Sequence, residues 1–326
     1  MEKKFRLAMV GAGARANQVI YPAFSSLEDV EIVGICDIDP IRLKSTADKY
    51  GVEKRYGETI YSYRDMINDL KPDGVAVIGQ PDIMFDIWMW VLSNGYNLYI
   101  EKPMALTIHQ ARALAEMARL KDCITEVSFQ RRVTPVVMEM RDKCLERGPI
   151  THALCRFYKS EIYPSFGSRD HMMDDCVHSI DTLRWICGGE VVKVESFTKR
   201  VQVHDINFIS ATLHFDNGSV GYLINSWSSG KRIFAVEMHA PNIFAEVEHE
   251  TGGRLYVDGD VKGIEYSSPK SANSDDYFVY TGVQNLAREF VDCCRSHTQP
   301  QTCFSNSLKT MEVAEIILAQ ALLDGR

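Results

Sequence analysis

Lysine 102 sits in the tripeptide Glu101-Lys102-Pro103, directly after the short apolar run Asn97-Leu98-Tyr99-Ile100. A lysine at the carboxyl end of a parallel strand faces the crevice where open α/β sheets hold their ligands. Pro103 restricts Lys102 to an extended backbone, so its ammonium reads as a positioned proton donor and acceptor able to meet a hydroxyl. Upstream, Gly11-Ala12-Gly13-Ala14-Arg15-Ala16 fits G-x-G-x-x-G/A. The first glycine suits a tight turn and the second lets the backbone approach a pyrophosphate. The third position needs a small residue for helix–strand packing, and the helix N-terminus then offers N–H groups and a positive dipole to phosphates. The plain alternative is a strand-to-helix turn. Asp37 closes the next apolar strand, where a carboxylate accepts hydrogen bonds from ribose hydroxyls and repels a 2′-phosphate. This favours NAD over NADP, against which stand Arg15 and Arg42, either able to bind a 2′-phosphate.

A second constellation is Asp174, His178 and Asp181, whose i, i+4, i+7 spacing places all three on one helical face. An imidazole suits proton transfer at neutral pH, although a solvated face or a locally paired core histidine yields the same pattern. Gln130-Arg131-Arg132 follows the last strand of the first half; a side chain there reaches the cleft, and surface charge accounts for at least one of the two arginines. Tyr158, Tyr163, Arg169, His171, Asn225 and Trp227 could line a polar pocket. No HExxH or EF-hand pattern occurs, so no metal is expected.

These groups need elements to hold them. Phe5–Val10 reads as a buried strand, followed by a helix broken near Pro22. Strands at 30–36, 74–78, 97–100 and 125–129 alternate with helices at 39–49, 63–70, 81–93 and 107–120. That alternation predicts a doubly wound parallel sheet. After about residue 130 the pattern changes: helices at 135–147 and 174–186, then consecutive strands at 190–200, 207–215, 219–227, 233–239, 243–248 and 254–257, and closing helices at 282–296 and 306–323. The second half therefore reads as α+β with a mainly antiparallel sheet, and the expected domains are 1–124 and 125–326.

Bulk properties narrow the field. The chain has 326 residues, with 44 acidic and 36 basic side chains and a formal charge of -8. That excess of acid argues against nucleic acid or an anionic membrane as partner. Every apolar stretch is broken before bilayer-spanning length. The nine cysteines show no CxxC spacing, and with no signal peptide they suggest a reducing cytoplasm.

Taken together, Val10 to Ala16, Gly34 to Asp39, Glu101-Lys102-Pro103 and Asp174-Asp-Cys-Val-His178-Ser-Ile-Asp181 resemble, in order and spacing, the Gfo/Idh/MocA oxidoreductase family. The resemblance implies an N-terminal Rossmann domain and a C-terminal α+β domain whose large, open sheet often mediates homodimers or homotetramers. It implies a hydride transfer between nicotinamide and a secondary alcohol of a sugar, sugar derivative or cyclitol. It also implies catalytic Lys102, Asp174 and His178, with the lysine as base in some members. The cofactor group is then Gly11, Gly13, Ala14, Arg15, Ala16, Asp37, Gln80, Glu101 and Lys102; the substrate group is Lys102, Arg131, Tyr158, Arg169, Asp174 and His178. Two alternatives are a redox-assisted glycosidase or lyase, in which NAD stays bound, and an inactive dinucleotide-sensing protein. The chain departs from the family at Gly79-Gln80-Pro81-Asp82-Ile83-Met84-Phe85, where Phe85 replaces a usual histidine. It departs again at Arg169 to Met173, which is bulkier and more charged than the usual glycine-rich lead-in.

Overall fold

The computed structural model describes residues 3–162 and 171–323. Two compact units divide the chain: Met1–Ser128 with Val283–Leu308, and Phe129–Gly282 with Lys309–Arg326. The first unit is therefore not continuous in sequence.

In the first unit, strands β1 (Phe5–Val10), β2 (Val30–Cys36), β3 (Arg55–Tyr56), β4 (Gly74–Val77), β5 (Leu98–Ile100) and β6 (Thr125–Val127) form one sheet ordered β3-β2-β1-β4-β5-β6. Every pairing in it is parallel. Leu7, Ala8 and Met9 of β1 are fully buried, as a central parallel strand covered on both faces requires. The intervening helices are α1 (Tyr21–Ser25), α2 (Pro40–Tyr50), α3 (Ser62–Leu70), α4 (Pro81–Ser93) and α5 (Ile108–Leu120). The helix after Gly13 is not broken at Pro22. A π-helical segment, Ala16–Ile20, precedes α1, and Pro22 occupies an N-terminal position of α1, where a missing N–H costs little.

The second unit contains α6 (Pro135–Arg147), β7 (His152–Ser160), a π-helical segment His171–Cys176, and α7 (Val177–Cys187). Strands β8 (Val191–Lys199), β9 (Phe208–Phe215), β10 (Val220–Ser226), β11 (Ser228–Ala240), β12 (Ile243–Glu248), β13 (Gly252–Val257) and β14 (Ile264–Ser267) follow. The sheet order is β14-β13-β12-β11-β7-β10-β9-β8, antiparallel throughout except for the parallel pair β7 and β10. The α/β first sheet and the mainly antiparallel second sheet are the architecture expected from the sequence. The strand β14 was not expected, and β11 begins five residues earlier than the apolar pattern indicated, because Gly230, Lys231 and Arg232 interrupt its alternation. Short helices α8 (Ser268–Ala272) and α9 (Tyr277–Tyr280) lead to α10 (Val283–Ser296) and α11 (Phe304–Leu323).

Helix α10 completes the first unit's core. Its Phe290 meets Phe5, Phe24 and Tyr99 edge-to-face, with ring centroids 6.2, 6.4 and 5.8 Å apart, the geometry aromatic quadrupoles prefer. Arg288 and Arg295 of α10 both pair with Asp29, which precedes β2. In the second unit α7 packs on β7 and β10. Gly221 leaves room for Leu183, whose Cβ lies 3.5 Å from where a glycine Cβ would stand.

Candidate active site

The turn after β1 has the shape a diphosphate needs. Gly11 has φ +99°, and a Cβ there would run into the Ile78 carbonyl, so only glycine fits. Gly13 is the opposite case: nothing lies within 4 Å of where its Cβ would be. That open space beside a helix start is a cradle that a side chain would fill and a phosphate can occupy. Asp37 follows β2 directly. Its Oδ2 accepts from Ala12 N at 2.6 Å and its Oδ1 from Asp39 N at 2.8 Å. Two backbone donors thus fix the carboxylate at the strand end while leaving lone pairs for ribose hydroxyls. Asp39 caps α2, accepting from Ile41 N and Arg42 N. These residues fit NAD.

The arginines that argued for NADP have partners here. Arg15 Nε donates to Glu101 Oε1 at 2.9 Å, and Arg42 pairs with Asp39 at 3.3 Å on the surface. Ala14 is exposed, Ala16 buried, and Gln80 exposed at the start of α4. Glu101 is buried just beyond β5; its Oε2 accepts from Lys102 N at 3.3 Å. Lys102 is half-buried, and the Lys102–Pro103 peptide is cis.

In the second unit Asp174, His178 and Asp181 differ in their surroundings. Asp174 lies in the π-helical segment and is exposed. His178 is buried at the start of α7, its ring edge-on to Phe129 and Phe234 with centroids 5.9 and 6.4 Å away. Asp181 is committed elsewhere: Arg132 Nε donates to its Oδ2 at 2.5 Å, Arg132 Nη2 to its Oδ1, and Thr310 Oγ1 adds a bond at 3.1 Å. Both partners of this ion pair are nearly inaccessible.

Neither Arg131 nor Arg132 is surface charge. Arg131 is 8 % exposed, its guanidinium carbon 3.6 Å from the Phe234 centroid. Tyr158 is half-buried on β7, level with Ser226 and Ile233. Arg169 and Tyr163 lie outside the described residues. His171 stacks on Trp227, centroids 4.3 Å apart, with Nδ1 3.0 Å from the Ile206 carbonyl oxygen.

Sequence reasoning missed Asp175. It is buried, accepts from Trp227 Nε1 at 2.7 Å, and pairs with Lys159 at 2.8 Å. Burial works against the Lys159 charge, but the Asp175 carboxylate outweighs it and holds the ammonium above its ordinary value. Asp175 thereby ties the π-helical segment to β7 and to the end of β10. His249 was also missed; no sequence pattern marked it. Among the described residues no His, Cys, Asp and Glu group could hold a metal ion, and no helix is long and apolar enough to cross a membrane.

Residues 5–129 match the family model described as "Oxidoreductase family, NAD-binding Rossmann fold" for GFO_IDH_MocA, and residues 148–242 match its C-terminal domain. The chain belongs to the Gfo/Idh/MocA oxidoreductase family. Its first unit is accordingly that family's NAD-binding Rossmann domain. Among curated relatives, inositol 2-dehydrogenase of Salmonella paratyphi B is 22% identical over 60% of this chain and 58% of its own length. The chain thus spans a little over half the length of that relative. D-glucoside 3-dehydrogenase of Escherichia coli is 24% identical over 78% of this chain and 69% of its own. A dehydrogenase from Chromobacterium violaceum shares this chain's fold with a TM-score of 0.88 at 20% identity, covering 99% of this chain and 98% of that one.

Proposed function

We propose that this chain is an NAD-dependent dehydrogenase acting on a secondary alcohol of a sugar, sugar derivative or cyclitol. The observation that carries the reading is the placement of Lys102. It follows the carboxyl end of β5 in a unit whose Gly11–Gly13 turn and Asp37 fit the dinucleotide, at the sheet edge where such folds bind ligands. NAD is the preferred dinucleotide, because the oriented Asp37 carboxylate repels a 2′-phosphate and Arg15 and Arg42 are engaged with acids. Gly11, Gly13 and the following backbone would hold the diphosphate, and Asp37 the adenosine ribose. When bound, NAD supplies the hydride acceptor.

This chain's own residues manage the proton and the developing charge. His178, shielded between Phe129 and Phe234, takes the hydroxyl proton as a general base. Asp174 orients the imidazole and stabilises its protonated form. The role assigned to the Lys102 ammonium is to stabilise negative charge on the substrate oxygen as the C–H bond breaks. The relatives named above act on inositol and glucosides by their names, which supports a polyhydroxy substrate. The assembly this reading carries is a homodimer or homotetramer.

The test is NADH absorbance with added NAD across sugars, sugar acids, nucleotide sugars and inositols. Sustained NADH formation on one stereochemical class is the expected result. Substrate consumption without net NADH would replace this reading with a redox-assisted glycosidase or lyase.

A further inference from the structure

Among the buried polar side chains of the second unit, Arg131, His249 and Asn225 gather about one row of the sheet. Phe234 of β11 pairs with Phe157 of β7, which pairs in turn with Asn225 of β10. Residues directly opposite on adjacent strands share a face, and all three are buried. Arg131 lies over this row, its guanidinium carbon 3.6 Å from the Phe234 centroid and 5.3 Å from that of Phe157. The His249 ring stands edge-on to Phe234 with centroids 4.6 Å apart.

Arg131 is 8 %, His249 2 % and Asn225 0 % exposed. Nε of Arg131 and both amide atoms of Asn225 have no hydrogen-bond partner among the described residues, and the His249 ring lies against the backbone at Phe234 and Arg131. Buried polar groups are ordinarily bonded, and a buried charge is ordinarily paired. Stacking on Phe234 offsets part of the cost of the guanidinium and leaves its N–H fork free at the edge. Burial, and then the nearby Arg232, push Arg131 down to about 10, so it stays a cation at neutral pH. Burial and the Arg131 charge hold His249 well below the ordinary imidazole value, so it is neutral and offers one donor and one acceptor. Arg232, the neighbouring cation, is already paired with Glu250 at 2.8 Å. One unpaired cation, a neutral imidazole and an amide match a planar monoanion rather than a phosphate dianion.

We propose that the substrate carries a carboxylate, and that Arg131, flanked by His249 and Asn225, is the subsite that receives it. This rests on the dehydrogenase reading above, because His178 packs edge-on against the same Phe234 ring. The substrate class narrows to polyhydroxy acids of the aldonate or uronate type. Their carboxylate meets the Arg131 fork while a carbinol lies toward His178. His249 and Asn225 bond the hydroxyls next to the carboxylate.

The experiment is calorimetric titration of the NADH-loaded enzyme with matched pairs: glucuronate against glucose, galacturonate against galactose, gluconate against glucitol. The expected result is that at least one acid binds roughly 10- to 100-fold more tightly than its neutral partner. Arg131→Lys keeps the stem and charge but loses the fork, and lowers that affinity about tenfold; Arg131→Met erases the preference. NAD affinity, titrated separately, is unchanged in both variants, which distinguishes a lost subsite from a misfolded chain. The proposal is overturned if neutral partners bind as tightly as the acids, if no acid binds, or if Arg131→Met leaves acid affinity intact. NADH formation on neutral polyols alone would retain the dehydrogenase reading and discard this subsite.

Discussion

Two glycines two residues apart do different work, and substitution should separate them. Alanine at position 11 meets the Ile78 carbonyl at a φ of +99°, so Gly11→Ala should cost roughly 1–3 kcal/mol of stability and lower the melting temperature. Alanine at position 13 meets nothing within 4 Å. Gly13→Ala should therefore fold normally and weaken NAD binding about tenfold or more, since its methyl occupies the diphosphate's space. Equal melting temperatures for the two variants would contradict this division. The glycine turn, Asp37 and Lys102 were legible because each has a strong local sequence context. The burial of Arg131 and Arg132 was not, because consecutive arginines look like surface charge until Phe234 and Asp181, far along the chain, come to meet them.

At the scale of elements, the π-helical segment and α7 put the residues that the spacing grouped into different surroundings. Asp174 is exposed, whereas Asp181 is locked to Arg132 in a buried pair. Asp181→Asn strips the arginine of its counter-charge and should destabilise the fold by about 3–5 kcal/mol. Asp174→Asn should leave the melting temperature unchanged and reduce turnover; the reverse assignment of effects would refute this account of α7. Strand β6 supplies a second prediction. Glu126 is completely buried, and among the described residues no basic side chain pairs with its carboxyl. Burial, and then the Glu289 charge, hold its carboxyl well above the ordinary 4.5. The folded chain thus keeps a proton that the unfolded chain releases. The stability it contributes is complete below about pH 4.5 and is lost as pH rises toward the folded value. Glu126→Gln cannot ionise, so calorimetry should find its melting temperature above wild type at pH 8 and the gap closing near pH 4. The strand–helix alternation was readable from apolar period alone. The π-helical segments were not, since a single wide turn leaves no periodic trace, and β14 carries only Ile264, Glu265, Tyr266 and Ser267, too short and mixed a run to declare itself.

At the scale of the whole molecule, α10 returns to the first unit from the far end of the sequence. Its amphipathic pattern announced a helix, but nothing local says that Phe290 belongs beside Phe5 and Tyr99. Residues 1–128 alone should accordingly fail to fold, lacking both that ring and the Arg288 and Arg295 partners of Asp29. Circular dichroism on that fragment, compared with one in which 283–308 is appended, checks this. The central claim, that Lys102 and His178 serve hydride transfer from a carbinol carbon, is tested most directly with a substrate deuterated at that carbon. Mass spectrometry should find one deuterium in the reduced nicotinamide, with its formation down about 1,000-fold or more in Lys102→Ala and His178→Ala. Deuterium released to water, or full-rate transfer in either variant, would contradict it.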